Sequence, residues 1–246
     1  MRNAIWLILS LSLVACDKES APDCFQKAGQ TVTETRELSK FTEIHVRDFF
    51  TQITLVQAPD YKVEVTGGEN LLGDIFTESD ANGVLTLRND NGCNFVRSFK
   101  NKLEIKVYCP QLLSIKLFEG AGDFHIPGPF VIDSLSIEGH DFVGTLDGRF
   151  MGRVINAELH AGLGDLQLAG EVDDLYLYNL GYGFVDSRPM TSVRAFANNG
   201  STNRMWLSNP DYLFAAITGS GNIYVVGQPT SYDTMLTGTG QLIFEP

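Results

Sequence analysis

The sequence predicts an all-β fold whose second half is a parallel β-helix-like solenoid with coils of about 20 residues. Three observations lead there. Apolar and polar residues alternate through nearly every segment from Thr31 onward, and no stretch sustains a 3.6-residue period. A small-residue turn followed by an alternating strand recurs seven times, as GAGDFHI, GHDFVGTL, GLGDLQL, GYGFVDS, NGSTNRMWL, GSGNIYVV and GTGQLIF. The third residues of these turns, from Gly122 to Gly240, are spaced 19, 23, 19, 18, 20 and 19 apart.

The chain opens with MRNAIWLILSLSLVACDKES, and residues 1–15 read as a lipoprotein signal peptide. Arg2 precedes an apolar run, Ala4–Leu9 and then Leu11–Ala15, that is too short to span a bilayer. Leu13, Val14, Ala15 and Cys16 form a lipobox, in which small residues admit the peptidase and the Cys16 thiol takes a diacylglycerol. Cys16 is therefore the expected lipidation site. Because such a cysteine normally carries more than one acyl chain, attachment is effectively stable. Residues 16–30 are polar and rich in turn formers and read as a flexible tether, with Asp17 and Glu19 placed to act as an envelope sorting signal, for surface export or for inner-membrane retention depending on the host's machinery. The expected location is the cell envelope, at the outer membrane on its periplasmic face or the cell surface.

Residues 31–246 are expected to form one domain. In 31–110 the alternating segments TVTETREL, EIHVRD, TQITLVQ, YKVEVTG, GVLTLRND and KLEIKVYC are strands bounded by Gly, Asp, Asn or Pro, and Glu69–Phe76 is a brief helical or irregular excursion. These N-terminal strands can cap the rod or add less regular coils. In 111–246 each repeat holds two or three short strands with tight bends, one coil of a solenoid. Coils stack at about 4.8 Å, so seven make a rod roughly 35 Å long. Glycine suits a corner that needs positive φ and close backbone stacking. Phe124 and Ile126, Leu166 and Leu168, Ile223 and Val225, and Leu242 and Phe244 are expected to point inward in columns. A leucine-rich repeat would need fixed leucines and an asparagine that these units lack; a propeller or a sandwich is the competing architecture, although a sandwich seldom places a GxG triplet at every second turn.

The formal charge is -12, so the surface repels phosphate backbones and nucleic acid is excluded as a partner. Membrane attachment then falls to the lipid. Three cysteines follow Cys16, and export to an oxidising compartment predicts one disulfide. Cys24 in the tether and Cys93 in an Asn/Gly-rich loop are the expected pair, whereas Cys109 ends a strand and reads as a small buried hydrophobe. With no CxxC spacing and no histidine near a cysteine, no metal site or other cofactor is expected.

The order RELSKFTEIHVRDFFTQITLVQ, YKVEVTGGENLLGDI, NGVLTLRN and GSGNIYVVG resembles the putative auto-transporter adhesin head GIN domain family, over roughly Glu37–Phe244. The resemblance implies a right-handed β-helix-like fold in envelope lipoproteins and brings no catalytic residues. The turns HDF, with His140, and NGS depart from the family's glycine-rich form.

Several side chains invite a functional reading. A β-helix hydrolase or lyase needs converging carboxylates with basic partners; Asp173, Asp174 and the His140–Asp141 pair are on offer, with no Arg or Lys expected at matching coil positions. Asp123, Asp165, Asn222 and Gln241 follow corner glycines and suggest a calcium ladder, but Phe184 and Thr202 interrupt it, and turn preference already explains Asp or Asn there. His125, His140 and His160 fall at different places relative to their turns and are not expected to align. Arg97, Lys100 and Lys102 make a locally basic loop. Among the aromatics Tyr176, Tyr178, Tyr182, Phe184, Trp206, Tyr212 and Tyr224, two readings stay open. They pack in the core, or Tyr176, Tyr178 and Tyr182 share an outer face as a stacking platform for a glycan or a protein. The leading expectation is a non-enzymatic, lipid-anchored adhesion or binding module. The alternatives are a β-helix carbohydrate-active enzyme and a purely structural envelope protein.

Overall fold

The computed structural model describes residues 28–47, 52–91, 103–120 and 122–246. Cys16, Cys24, Cys93 and the cations Arg97, Lys100 and Lys102 lie outside the described residues. The remainder is a β-solenoid of about seven turns, its 18 strands hydrogen-bonded into one continuous sheet.

The repeats begin with three long strands, β9 (Phe124–Gly139), β10 (Thr145–Leu159) and β11 (Asp165–Asn179). Their alternation explains both the strands and the bend within each. In β10, Leu146 and Phe150 are buried while Asp147, Arg149 and Met151 are exposed; the phase then slips by one residue, and Ile155, Ala157 and Leu159 are buried. The slip marks where the chain turns from one face of the rod to the next. β9 slips in the same way between Ile132 and Leu135, and β11 between Val172 and Leu175. Beyond β11 the two arms of each coil are separate strands. β12 (Val185–Ser187), β14 (Met205–Leu207), β16 (Ile223–Val226) and β18 (Leu242–Glu245) continue the first arm, and β13 (Met190–Asn199), β15 (Tyr212–Ile217) and β17 (Ser231–Leu236) the second.

Parallel pairing in a constant register stacks like positions into columns. One inner column runs Leu146, Leu166, Val185, Met205, Ile223, Leu242. A second runs Ile137, Ala157, Leu177, Ala197, Ala215, with large and small side chains alternating over its first four coils. Each fully buried leucine contributes about 2 kcal/mol relative to exposure.

The corner glycines serve close approach more than unusual dihedrals. Positive φ occurs at Gly120 (71°) and Gly162 (90°), but the corner glycines Gly183, Gly221 and Gly240 do not adopt it. A Cβ on Gly183 would instead meet the carbonyl oxygen of Gly164 at 1.8 Å, one coil below. The expectation of positive φ at every corner is thus corrected. Backbone stacked on backbone leaves no room for a side chain.

The N-terminal part supplies both a coil and a cap. β2 (Glu43–Arg47) and β3 (Gln52–Gln57) run parallel to β8 (Ser114–Leu117) and to the start of β9, in registers that place Glu43 beside Ser114 and Ile53 beside Phe124. Beyond them the sheet turns antiparallel: β1 (Thr31–Glu37) pairs with β4 (Lys62–Gly68), which pairs with β7 (Glu104–Cys109). β5 (Ile75–Ser79) and β6 (Val84–Asn89) close the other face as a hairpin, with β6 parallel to β2. The outermost strand is the polar TVTETRE, whose charges discourage further edge pairing. The excursion over Glu69–Phe76 contains a 3-10 turn, Leu72–Asp74, and its last two residues already open β5, where buried Thr77 accepts a hydrogen bond from Arg36 Nη1 at 2.9 Å. Cys109 is buried and free, and burial pushes its thiol up to about 12.

Candidate functional site: an aromatic groove on the outer face

The second arm of each coil presents two parallel outward columns. Because side chains alternate, Tyr176 and Tyr178 face out while Leu175 and Leu177 face in. The column through Tyr176 reads Asn156, Tyr176, Phe196, Phe214, and that through Tyr178 reads Glu138, Glu158, Tyr178, Asn198, Ala216. Tyr176 and Phe196 stack with centroids 4.7 Å apart and planes 7° from parallel, and Tyr212 meets Phe196 edge-on at 6.0 Å. Together these columns line a shallow groove of about 450 Å³, floored by Ala197 and Ala216 and bordered by Asn156, Glu158 and Met235. The small outward Ala216 is what makes it concave. Asn198 projects into it, and its Oδ1 is buried without a hydrogen-bond partner.

Of the three tyrosines singled out from sequence, Tyr176 and Tyr178 lie in adjacent columns on this face. Tyr182 stands apart, 63% exposed in the turn between β11 and β12. The other aromatics form a second stack on the first-arm face, where Trp206 lies between Phe184 and Tyr224 with Arg188 and Arg204 over its ring. Phe196 and Phe214 escaped the sequence reading. A period of 20 applied to Tyr176 would have found Phe196.

Several carboxylates are committed to holding coils together. Asp123 Oδ1 accepts from the Thr145 amide (3.0 Å), Asp165 Oδ1 from the Phe184 amide (2.7 Å) and Asn222 Oδ1 from the Gln241 amide (2.9 Å). Three of the four residues proposed as a calcium ladder, Asp123, Asp165 and Asn222, therefore cap the backbone of the next coil. Asp174 is gripped by Arg194, its register partner on β13, through bonds of 2.5 and 2.6 Å. That corrects the expectation that no basic residue matches the acidic coil positions. The Arg194 guanidinium holds the Asp174 carboxyl below its ordinary value. At the corners, buried Asn179 and Asn199 each bond the turn that follows them, Asn179 Oδ1 accepting from Gly181 and Asn199 Oδ1 from Ser201.

The histidines differ most from expectation. His140 and His160 stack with ring centroids 4.5 Å apart and planes 10° from parallel, because the strand ladder runs on through the Leu159–Gly139 pair and so sets the two residues that follow side by side. His140 lies inside the GHD turn and His160 two residues before GLG, so distance from the glycines hides the match that strand register creates. His140 Nε2 lies 3.0 Å from Glu138 Oε2, and His160 Nε2 3.1 Å from Glu158 Oε2. Burial pushes the Glu138 carboxyl up, but the His140 bond and the Lys116 ammonium outweigh it and hold the group below its ordinary value. His125 stands elsewhere, paired across the coils with Asp147 at 3.0 Å.

A family model described as "Putative auto-transporter adhesin, head GIN domain" matches residues 40–229. The chain belongs to this family. Solved structures similar to this GIN domain include a putative adhesin of Bacteroides fragilis, 24% identical with a TM-score of 0.78 over 87% of this chain and 97% of that one. A putative lipid binding protein of Parabacteroides distasonis is 20% identical with a TM-score of 0.62, covering 89% of this chain and 98% of its own. A putative adhesin of Parabacteroides merdae is 18% identical with a TM-score of 0.60 over the same shares. At these identities the likeness concerns the fold. No curated protein is significantly similar in sequence.

Proposed function

We propose that this GIN domain is a non-enzymatic, lipid-anchored binding module of the cell envelope whose outer aromatic groove stacks on the sugar rings of a glycan. The observation that carries the reading is the Tyr176–Phe196 stack beside the unpartnered Asn198 carbonyl. Aromatic faces cover the apolar faces of pyranose rings, while amide and carboxylate groups at the margin, here Asn156, Glu158 and Asn198, take the hydroxyls.

The family's name and the adhesins among its structural relatives support display over catalysis. So does the commitment of Asp123, Asp165 and Asp174 to capping and ion pairing. The lipobox ending at Cys16 supports attachment to the outer membrane, with the tether lifting the rod off the surface. Glycan-array binding read beside a polysaccharide-cleavage assay tests the ligand class and separates it from a β-helix enzyme. Membrane fractionation of Cys16→Ala tests the anchor: the variant is expected in the soluble fraction, and its retention in the membrane would contradict lipidation there.

A further inference from the structure

We propose that Glu138, His140 and His160, with Glu158 beside His160, form a binding site for a divalent cation of the zinc type, built where two adjacent coils present the same Glu-x-His pair on the outer face. The sequence carries the signal as EGH and ELH, twenty residues apart. Glu138, His140 and His160 each offer a ligand atom within 4.8 Å of the others. Within each pair the imidazole nitrogen and carboxylate oxygen are 3.0 and 3.1 Å apart. At the tetrahedral angle of zinc two ligands about 2.1 Å from the ion are about 3.4 Å apart, so each pair needs to open only slightly, and the stacked rings to turn, for the same atoms to hold one cation.

The outer oxygens are held from behind. Glu138 Oε1 faces the Lys116 ammonium at 3.4 Å, and Glu158 Oε1 accepts from Asn156 Nδ2 at 2.6 Å, which leaves Oε2 of each directed at its histidine. Imidazole with carboxylate favours zinc, copper or nickel over calcium or magnesium, which prefer all-oxygen sites. Glu158 also borders the aromatic groove, but the cation site stands without the glycan reading and is tested without a sugar.

The test is calorimetric titration of the untagged full chain, in detergent and freed of metal with chelator, using zinc chloride alone and then calcium and magnesium chlorides. One zinc per chain is expected, with neither calcium nor magnesium competing. His140→Ala and His160→Ala should each weaken binding about tenfold or more, and His125→Ala should leave it unchanged. Glu138→Gln and Glu158→Gln, which keep side-chain shape, provide the same comparison should a histidine variant misfold. Absence of saturable zinc binding, or wild-type affinity in folded variants of His140 and His160, overturns the proposal.

Discussion

Tyr176 and Phe196, twenty residues apart in sequence, stack face to face on neighbouring coils with 4.7 Å between their centroids. The pair arises because parallel in-register coils bring like positions together, so one aromatic residue in two successive repeats becomes a platform. Such a stack also contributes to stability. Tyr176→Ala should lower the free energy of unfolding by about 1 kcal/mol, and Tyr176→Phe should restore it, as measured by urea denaturation.

Gly183 tests the corner geometry. An alanine there would place Cβ 1.8 Å from the Gly164 carbonyl oxygen, so Gly183→Ala should cost about 3 kcal/mol as two coils are forced apart. Gly73 has nothing within 4 Å of a built Cβ, and Gly73→Ala should change stability by no more than about 0.5 kcal/mol. Equal effects at the two positions would show that stacking does not constrain the corner.

Asp165 ties its coil to the next by accepting from the Phe184 amide. Asp165→Ala should cost about 1 kcal/mol. Asp165→Asn should recover most of it, since Asn222 already plays that part for Gln241. Failure of the asparagine to rescue would assign the effect to charge instead of capping.

Asp174 links stability to acidity. Its carboxyl is held below the ordinary value by Arg194, so the contribution of the pair is fully present above about pH 4 and is lost as pH falls through the depressed folded value. The pair is partly exposed, so salt screens it and the effect is modest. The stability of Asp174→Asn should therefore depend less on pH below about 4 than that of the native chain, as followed by thermal melts across an acid series.

The parts of the fold that sequence exposed are those governed by local rules repeated many times. Alternation marked β1 to β4, β6 and β7, and the turn spacing marked the coils, because a period-2 pattern and a fixed repeat survive whatever the tertiary context. The threading of β2 between β6 and β8 was hidden, since pairing Glu43 with Ser114 depends on contacts about seventy residues apart. The outer columns were partly legible. Tyr176 and Tyr178 stood out as aromatics, whereas the His140–His160 stack was missed because strand register, not distance from the glycines, sets which residues meet. Asp123 and Asp165 showed the reverse: residues conspicuous enough to suggest ion binding are occupied with the amides of the coil above.

Binding of the native chain and of a Tyr176→Ala/Phe196→Ala double variant to one glycan array, after circular dichroism has shown both folded, tests the function most directly. The native chain should bind a defined set of glycans, and the double variant should lose that set while keeping its β spectrum. Glycan binding that survives loss of both rings, or an array on which the native chain binds nothing, would contradict a sugar-stacking role for this face.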